Sequence, residues 1–204
     1  MIVYVETNFL LERAYVQERS DRCEELVELA RSGSIHLVLP AYSAAEARAT
    51  WDRRSGERDA FRAELQRQIQ QLSRSRPFRS LRESSRELTS AFASSGEETR
   101  DRLEAVIGEV VAHGTVLALT HEVVAAARDY ESRCDLTPPD ALVLASVVAH
   151  AATVADEAKC FVSQDVKGFA NPKIYDELSK YRCKVLVNFA DAVAFVQSRL
   201  RNRT

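Results

Sequence analysis

The sequence predicts an α/β fold: a three-layer α/β/α sandwich around a central, mostly parallel sheet of four to five strands. Three observations predict it. Short apolar runs alternate with longer helical stretches along the whole chain. No hairpin signal such as Asn-Gly joins any two of those runs, so successive strands need helical crossovers. The longest apolar stretch, ALVLASVVAHAATVA at 141–155, has 15 residues, short of the ~20 of a membrane span, and reads as a helix buried against a sheet.

The elements follow in order. Ile2 to Val5 is a compact apolar run, and a strand is expected at about 2–6. Helical sequence runs from 7 to 32 and stops at Gly33. HLVL (36–39) is a short buried strand closed by Pro40. A long polar helix is expected from near Ser43 towards Leu72, with Gly56 as its weakest point. SRSRPFRSLRESSRE (73–87), interrupted by Pro77, carries the weakest structural pattern. Helices are expected over 97–113 and 121–134, and Thr137-Pro138-Pro139 introduces the apolar helix of 140–155. CFVS (160–163) is a strand, followed by a loop through Gly168 and Asn171-Pro172. IYDELSKY is helical, KVLV (184–187) is a strand, and FADAVAFVQSRL closes the chain as a helix.

At 204 residues, 46% of them hydrophobic, the chain suits one domain over 1–204 that buries roughly 70% of its unfolded surface. Residues of about 50–118 read as a helical, Arg-rich insertion within it. The first apolar run is too short, and lacks a basic flank, for a secretory leader. Cys23, Cys134, Cys160 and Cys183 stand far apart with no C-x-x-C pair, the pattern of reduced thiols in a cytoplasmic protein.

Charge is uneven. The net charge is −2, yet residues 48–87 hold eleven Arg against six acids, a local +5 that leaves −7 elsewhere. Such asymmetry can mark contact with a polyanion. Arg53, Arg54, Arg58, Arg62 and Arg67 lie on the long helix, and Arg74, Arg76, Arg79, Arg82 and Arg86 follow. Of these, Arg53, Arg54, Arg58, Arg62, Arg76 and Arg79 are the candidate nucleic-acid contacts, because the guanidinium fork suits phosphate. The plain alternative is a solvated face with helical partners such as Asp59 and Glu64. A protein partner, either a second copy or an acidic inhibitor, is a third reading.

Four acids stand where a parallel sheet carries its sites, at the carboxyl ends of strands. Glu6 ends the first strand, Glu46 lies early in the helix after HLVLP, Asp140 begins the apolar helix, and Asp165 follows CFVS. Each has a structural explanation on its own. Ser43-Ala44-Ala45-Glu46 reads as a capping box, Thr137 to Asp140 as nearly another, Asp165 as a turn residue and Glu6 as a strand end, with Thr7 or Asn8 capping the next helix. Together they imply more. Carboxylates gathered at one sheet edge repel one another and need a cation. Oxygen ligands with no neighbouring His or Cys cluster suit Mg²⁺ or Mn²⁺, the metals that assist phosphodiester hydrolysis. His36, His113, His121 and His150 fall at unrelated spacings and read as structural or surface residues. Phosphate-binding glycine loops, a serine nucleophile elbow and an H-E-x-x-H zinc helix are all missing from the sequence.

These segments resemble the PIN domain family. VETNFLLE is similar to the family's opening strand and acid, LPAYSAAEA to its second acidic segment, PPDALVLASVVAH to its third and FVSQDVKGF to its fourth. The likeness covers about 1–48 and 119–190. It implies a parallel α/β/α sandwich and a divalent-metal-dependent endoribonuclease that leaves 5′-phosphate and 3′-hydroxyl ends. By the resemblance Glu6, Glu46, Asp140 and Asp165 are the catalytic, metal-holding set, with Thr7, Asn8 and Ser163 in support. The expected metal is Mg²⁺ or Mn²⁺ and the expected partner is single-stranded RNA, with a homodimer and an antitoxin-like inhibitor as further expected partners and no membrane. Two departures stand out: Glu6 occupies a position where the family usually has Asp, and compact members lack the 50–118 insertion. They open two alternatives, a PIN-like RNA-binding or scaffold protein with weakened catalysis, and the toxin of a toxin–antitoxin pair.

Overall fold

The computed structural model describes residues 1–154 and 157–201. Five parallel strands form one sheet: β1 (Ile2–Tyr4), β2 (His36–Pro40), β3 (Gly114–Leu117), β4 (Lys159–Val162) and β5 (Cys183–Leu186), in the order β3-β2-β1-β4-β5. Both faces of the inner strands are buried, as all-parallel sheets require. Side-chain alternation divides them. Val3, Leu37, Leu39, Cys160 and Val162 join one core, while Ile2, Tyr4, Val38 and Phe161 join the other.

The described residues include ten α-helices, eight of which lie on the two faces of the sheet. On the first face lie α1 (Thr7–Ala14), α2 (Ser20–Arg31), the end of α5 (Arg86–His113) and α10 (Phe189–Arg201). On the second lie α6 (His121–Cys134), α7 (Pro138–Thr153), α8 (Val166–Phe169) and α9 (Pro172–Ser179). The apolar helix expected over 140–155 is α7, buried through Ala141, Val143, Leu144, Ala145, Val147 and Val148. Its expected last residue, 155, lies outside the described residues, as do 202–204 of the expected domain. No helix of the described residues is long and apolar enough to cross a membrane. All four cysteines are buried and free.

Several elements differ from expectation, among them α5, which starts at Arg86 and not at 97, and α8, which stands where a loop through Gly168 is expected. The helical stretch 7–32 breaks in two at Tyr15–Arg19, where Val16 takes a left-handed φ of 49° and the Glu12 carboxylate accepts the Arg19 N–H at 2.7 Å. The long helix α3 (Ala41–Leu72) starts directly after Pro40, so Ser43 is a buried residue inside the helix and not its cap. The stretch 50–118 is helical only to His113, and its last residues are strand β3, an edge pairing with β2. Gly114 makes that pairing possible. A Cβ there would sit 2.6 Å from the Leu37 carbonyl oxygen and 2.9 Å from that of Val110. The lower half of α5 is core as well, with Leu103, Val106, Ile107 and Val110 buried. The segment 73–87 folds into a 3₁₀ turn at Arg76–Phe78 and the short helix α4 (Leu81–Ser84).

Candidate functional site

The chain leaves β1 towards β2 on one side, while β4 pairs on the other, so strand order reverses between β1 and β4. A crevice opens at the carboxyl ends of strands at such a point. The four acids reach it from four helix starts. Glu6 is the N-cap of α1, Glu46 lies in the second turn of α3, Asp140 sits in the first turn of α7, and Asp165 is the N-cap of α8. The positive ends of helix dipoles partly offset the mutual repulsion of carboxylates placed there.

Glu6 is the most buried, with 4% of its surface exposed. Its Oε2 accepts the Asn8 backbone N–H at 2.8 Å, so Glu6 itself caps α1, and not Thr7 or Asn8. Its Oε1 is buried with no hydrogen bond of good geometry among the described residues, though the Ser163 hydroxyl and the Asn8 side chain lie near enough to favour the carboxylate. Burial pushes the Glu6 carboxyl up to about 8, and the Glu46 charge adds to that. The Asn8 N–H and Ser163 pull the other way. Ser163 is fully buried and its hydroxyl accepts the Asp165 N–H at 2.9 Å, which joins the end of β4 to the fourth acid.

Glu46 reaches back across α1. The Thr7 hydroxyl donates to its Oε2. This contact, together with the interior position of Ser43, excludes the capping box as the reason for Glu46. Burial raises the Glu46 carboxyl, Thr7 opposes the rise, and the charges of Asp140 and Asp165 reinforce it. Asp140 retains its predicted cap: its N–H points to the Thr137 hydroxyl at 3.4 Å, and that hydroxyl donates to Asp140 Oδ2 at 2.5 Å. Burial and the Asp165 charge nonetheless hold its carboxyl above the ordinary range, against the pull of Thr137. Asp165 accepts the Lys167 and Gly168 N–H groups on Oδ1, both at 3.0 Å, so its turn role is real and occupies one oxygen. A Cβ on Gly168 would lie 2.9 Å from Asp165 Oδ2 and 3.3 Å from Asp140 Oδ2, so both oxygens border one small space.

Sequence reasoning read Thr137 only as a helix cap and did not single out Gly168 or Tyr42. Tyr42 is half-buried beside the cluster, where burial and then the charges of Glu46 and Asp140 raise its hydroxyl. Its position one residue into α3 was hidden by the misplaced helix start.

The donor set fits a hard divalent cation: carboxylate oxygens, one of them buried without a hydrogen bond of good geometry, among groups whose charges repel. Among the described residues, no three His, Cys, Asp or Glu side chains stand preassembled as a cage. Thr7, Thr137 and backbone N–H groups each hold one oxygen of an acid instead.

A doubly wound parallel sheet with acids at its switch point is an α/β domain with its ligand site at the carboxyl ends of the strands. The comparison with known families is specific. A family model described as PIN domain matches residues 3–169, and the chain belongs to that family, whose members are generally nucleases and typically use divalent metals. The matched range includes the 50–118 segment. Comparison with curated proteins gives no match.

Proposed function

We propose that this PIN domain is a divalent-metal-dependent endoribonuclease. The observation that carries the reading is the approach of Glu6, Glu46, Asp140 and Asp165, from four separate helix starts, to one end of the sheet. Mg²⁺ or Mn²⁺ held by these carboxylates would supply Lewis-acid charge to a phosphodiester and an activated water. The chain's own residues do the rest. Thr7 aims Glu46, Thr137 aims Asp140, and the start of α8 aims Asp165. Glu6 uses Oε2 on the Asn8 N–H, and Oε1 is the oxygen it would offer a metal.

The test is cleavage of a fluorescent single-stranded RNA with Mn²⁺, Mg²⁺ or EDTA, with Asp140→Asn purified beside the wild type. The reading expects metal-dependent cutting by the wild type, silence in EDTA and silence in the variant. Equal rates in wild type and variant would sink the site assignment.

A further inference from the structure

The arginines of the helical arm are not alike. Arg53 pairs with Glu57 at 2.9 Å, Arg62 with Asp59 at 3.1 Å and Arg67 with Glu64 at 2.6 Å, so these three behave as a solvated helix face. Arg54, Arg58 and Arg100 make no ion pair among the described residues, Arg100 acting on Glu104 only through its charge. They lie over aromatic rings: Arg54 and Arg58 over Tyr15, at 5.3 and 5.8 Å, and Arg100 over Trp51 at 5.7 Å. Nε and Nη2 of Arg58 are buried and have no acceptor among the described residues.

Arg58 stands between two adjoining clefts. One, of about 300 Å³, is lined by Tyr15, Arg54, Glu57, Arg58 and Phe61. The other, of about 220 Å³, lies between α3 and α5 and includes Trp51, Arg62, Phe92 and Arg100. Of the acids at their rims, Glu57 and Asp59 are already taken by Arg53 and Arg62, and Glu97 is the third. Phe61 is 55% exposed on the first cleft. The arginines are not needed to cap the end of α1, because Arg102 Nε donates to the Ala14 carbonyl at 2.9 Å.

The clefts are tied to the acidic site by two helices. α1 and α3 both start at the sheet edge, where Thr7 meets Glu46, and they meet again where Tyr15 meets Arg54 and Arg58. At about 1.5 Å per residue, Tyr15 lies ~13 Å along α1 from Glu6, and Arg58 ~18 Å along α3 from Glu46.

We infer that the Arg54–Arg58–Tyr15–Phe61 cleft binds single-stranded RNA, taking a phosphate on Arg54 and Arg58 and a base against the exposed ring, upstream or downstream of the scissile bond. Buried guanidinium N–H groups without acceptors call for an oxyanion, and phosphate fits the fork. An acidic peptide would answer the guanidinium groups but leave the rings unused, whereas a single strand offers phosphates and base faces together. The inference takes its substrate class from the nuclease reading, and the test below separates the two.

The experiment is fluorescence anisotropy of a labelled single-stranded oligoribonucleotide of mixed sequence, titrated with full-length Asp140→Asn protein in EDTA, so that binding is read without cleavage. In that background R54Q/R58Q is compared with R53Q/R67Q, which removes the same charge from ion-paired positions. R54Q/R58Q should weaken binding at least about 10-fold and reduce the slope of log affinity against log salt by about 1.4, for two phosphate contacts on a single strand. R53Q/R67Q should stay within about twofold. Thermal unfolding checks each fold, and if the double variant does not fold, R54Q alone should lower the slope by about 0.7. Equal losses in both pairs, no loss in either, or binding to poly-glutamate but not to RNA overturns the inference. The expected pattern with a wild type that cuts nothing upholds the cleft and removes only the nuclease reading.

Discussion

The Thr7 hydroxyl donates to the Glu46 carboxylate, a contact between residues 39 positions apart. It joins the first turn of α1 to the second turn of α3 and fixes one acid of the cluster relative to another. Thr7→Val keeps the side-chain shape and removes the donor. Supporting groups of this kind typically contribute 10–100-fold to metal affinity or activity. The expected result is a loss of about that size in RNA cleavage with an unchanged circular dichroism spectrum.

The carboxylate cluster should make thermal stability depend on metal. A ligand that binds only the folded state stabilises it by about 2.7 kcal/mol at a hundred times its dissociation constant. Mn²⁺ should therefore raise the melting temperature of the wild type. Asp140→Asn should melt no lower than the wild type in EDTA, since it removes a repelling charge, and should lose most of the Mn²⁺ response. A full Mn²⁺ response in the variant would mean that the ion binds elsewhere.

Glu6 gives the metal-free protein a pH signature. Its carboxyl titrates near 8 in the folded chain, against 4.5 unexposed to any such environment. Between those values the folded state holds a proton that the unfolded state has released. Stability from this group is therefore complete below about pH 4.5 and declines up to about pH 8, with a slope near 1.4 kcal/mol per pH unit. Urea unfolding in EDTA across pH 4–9 should show a flatter profile for Glu6→Gln. The variant should equal the wild type at the acid end and exceed it at the alkaline end.

Gly168 keeps the space between two acids clear. In Gly168→Ala the new methyl would stand 2.9 Å from Asp165 Oδ2 and 3.3 Å from Asp140 Oδ2. One or both carboxylates must move, and a shift of ~1 Å in such a site can cost ~100-fold in rate. The fold should tolerate the change, since Ala is the better helix former. Cleavage at the wild-type rate would show that the space is not used.

The strands and acids could be read early because their signals are local. Val3, Val5, Leu37 and Leu39 alternate with residues that serve the opposite face, and an acid follows each of β1 and β4 within a few positions. Strand β3 carries an apolar run, Val116-Leu117-Ala118-Leu119, but it directly abuts the helix ending at His113 and so reads as part of the helical 50–118 segment. The break in 7–32 depends on Glu12 reaching the Arg19 N–H, a tertiary choice that periodicity does not encode. Ser43 looked like a cap because S-x-x-E is a local pattern, whereas Pro40 starts the helix earlier. Thr7 pairing with Glu46, and Arg58 lacking a partner beside paired Arg53 and Arg62, depend on where distant helices end. Composition could count the arginines but could not sort them.

The four acids sit at positions 6, 46, 140 and 165, each at or near the start of a helix. The chain is made from its first residue onward. Glu6 and Glu46 therefore emerge from the ribosome long before Asp140 and Asp165 exist, and β4 cannot pair with β1 until most of the protein has been made. Whatever the cluster does therefore needs a chain made at least as far as residue 165.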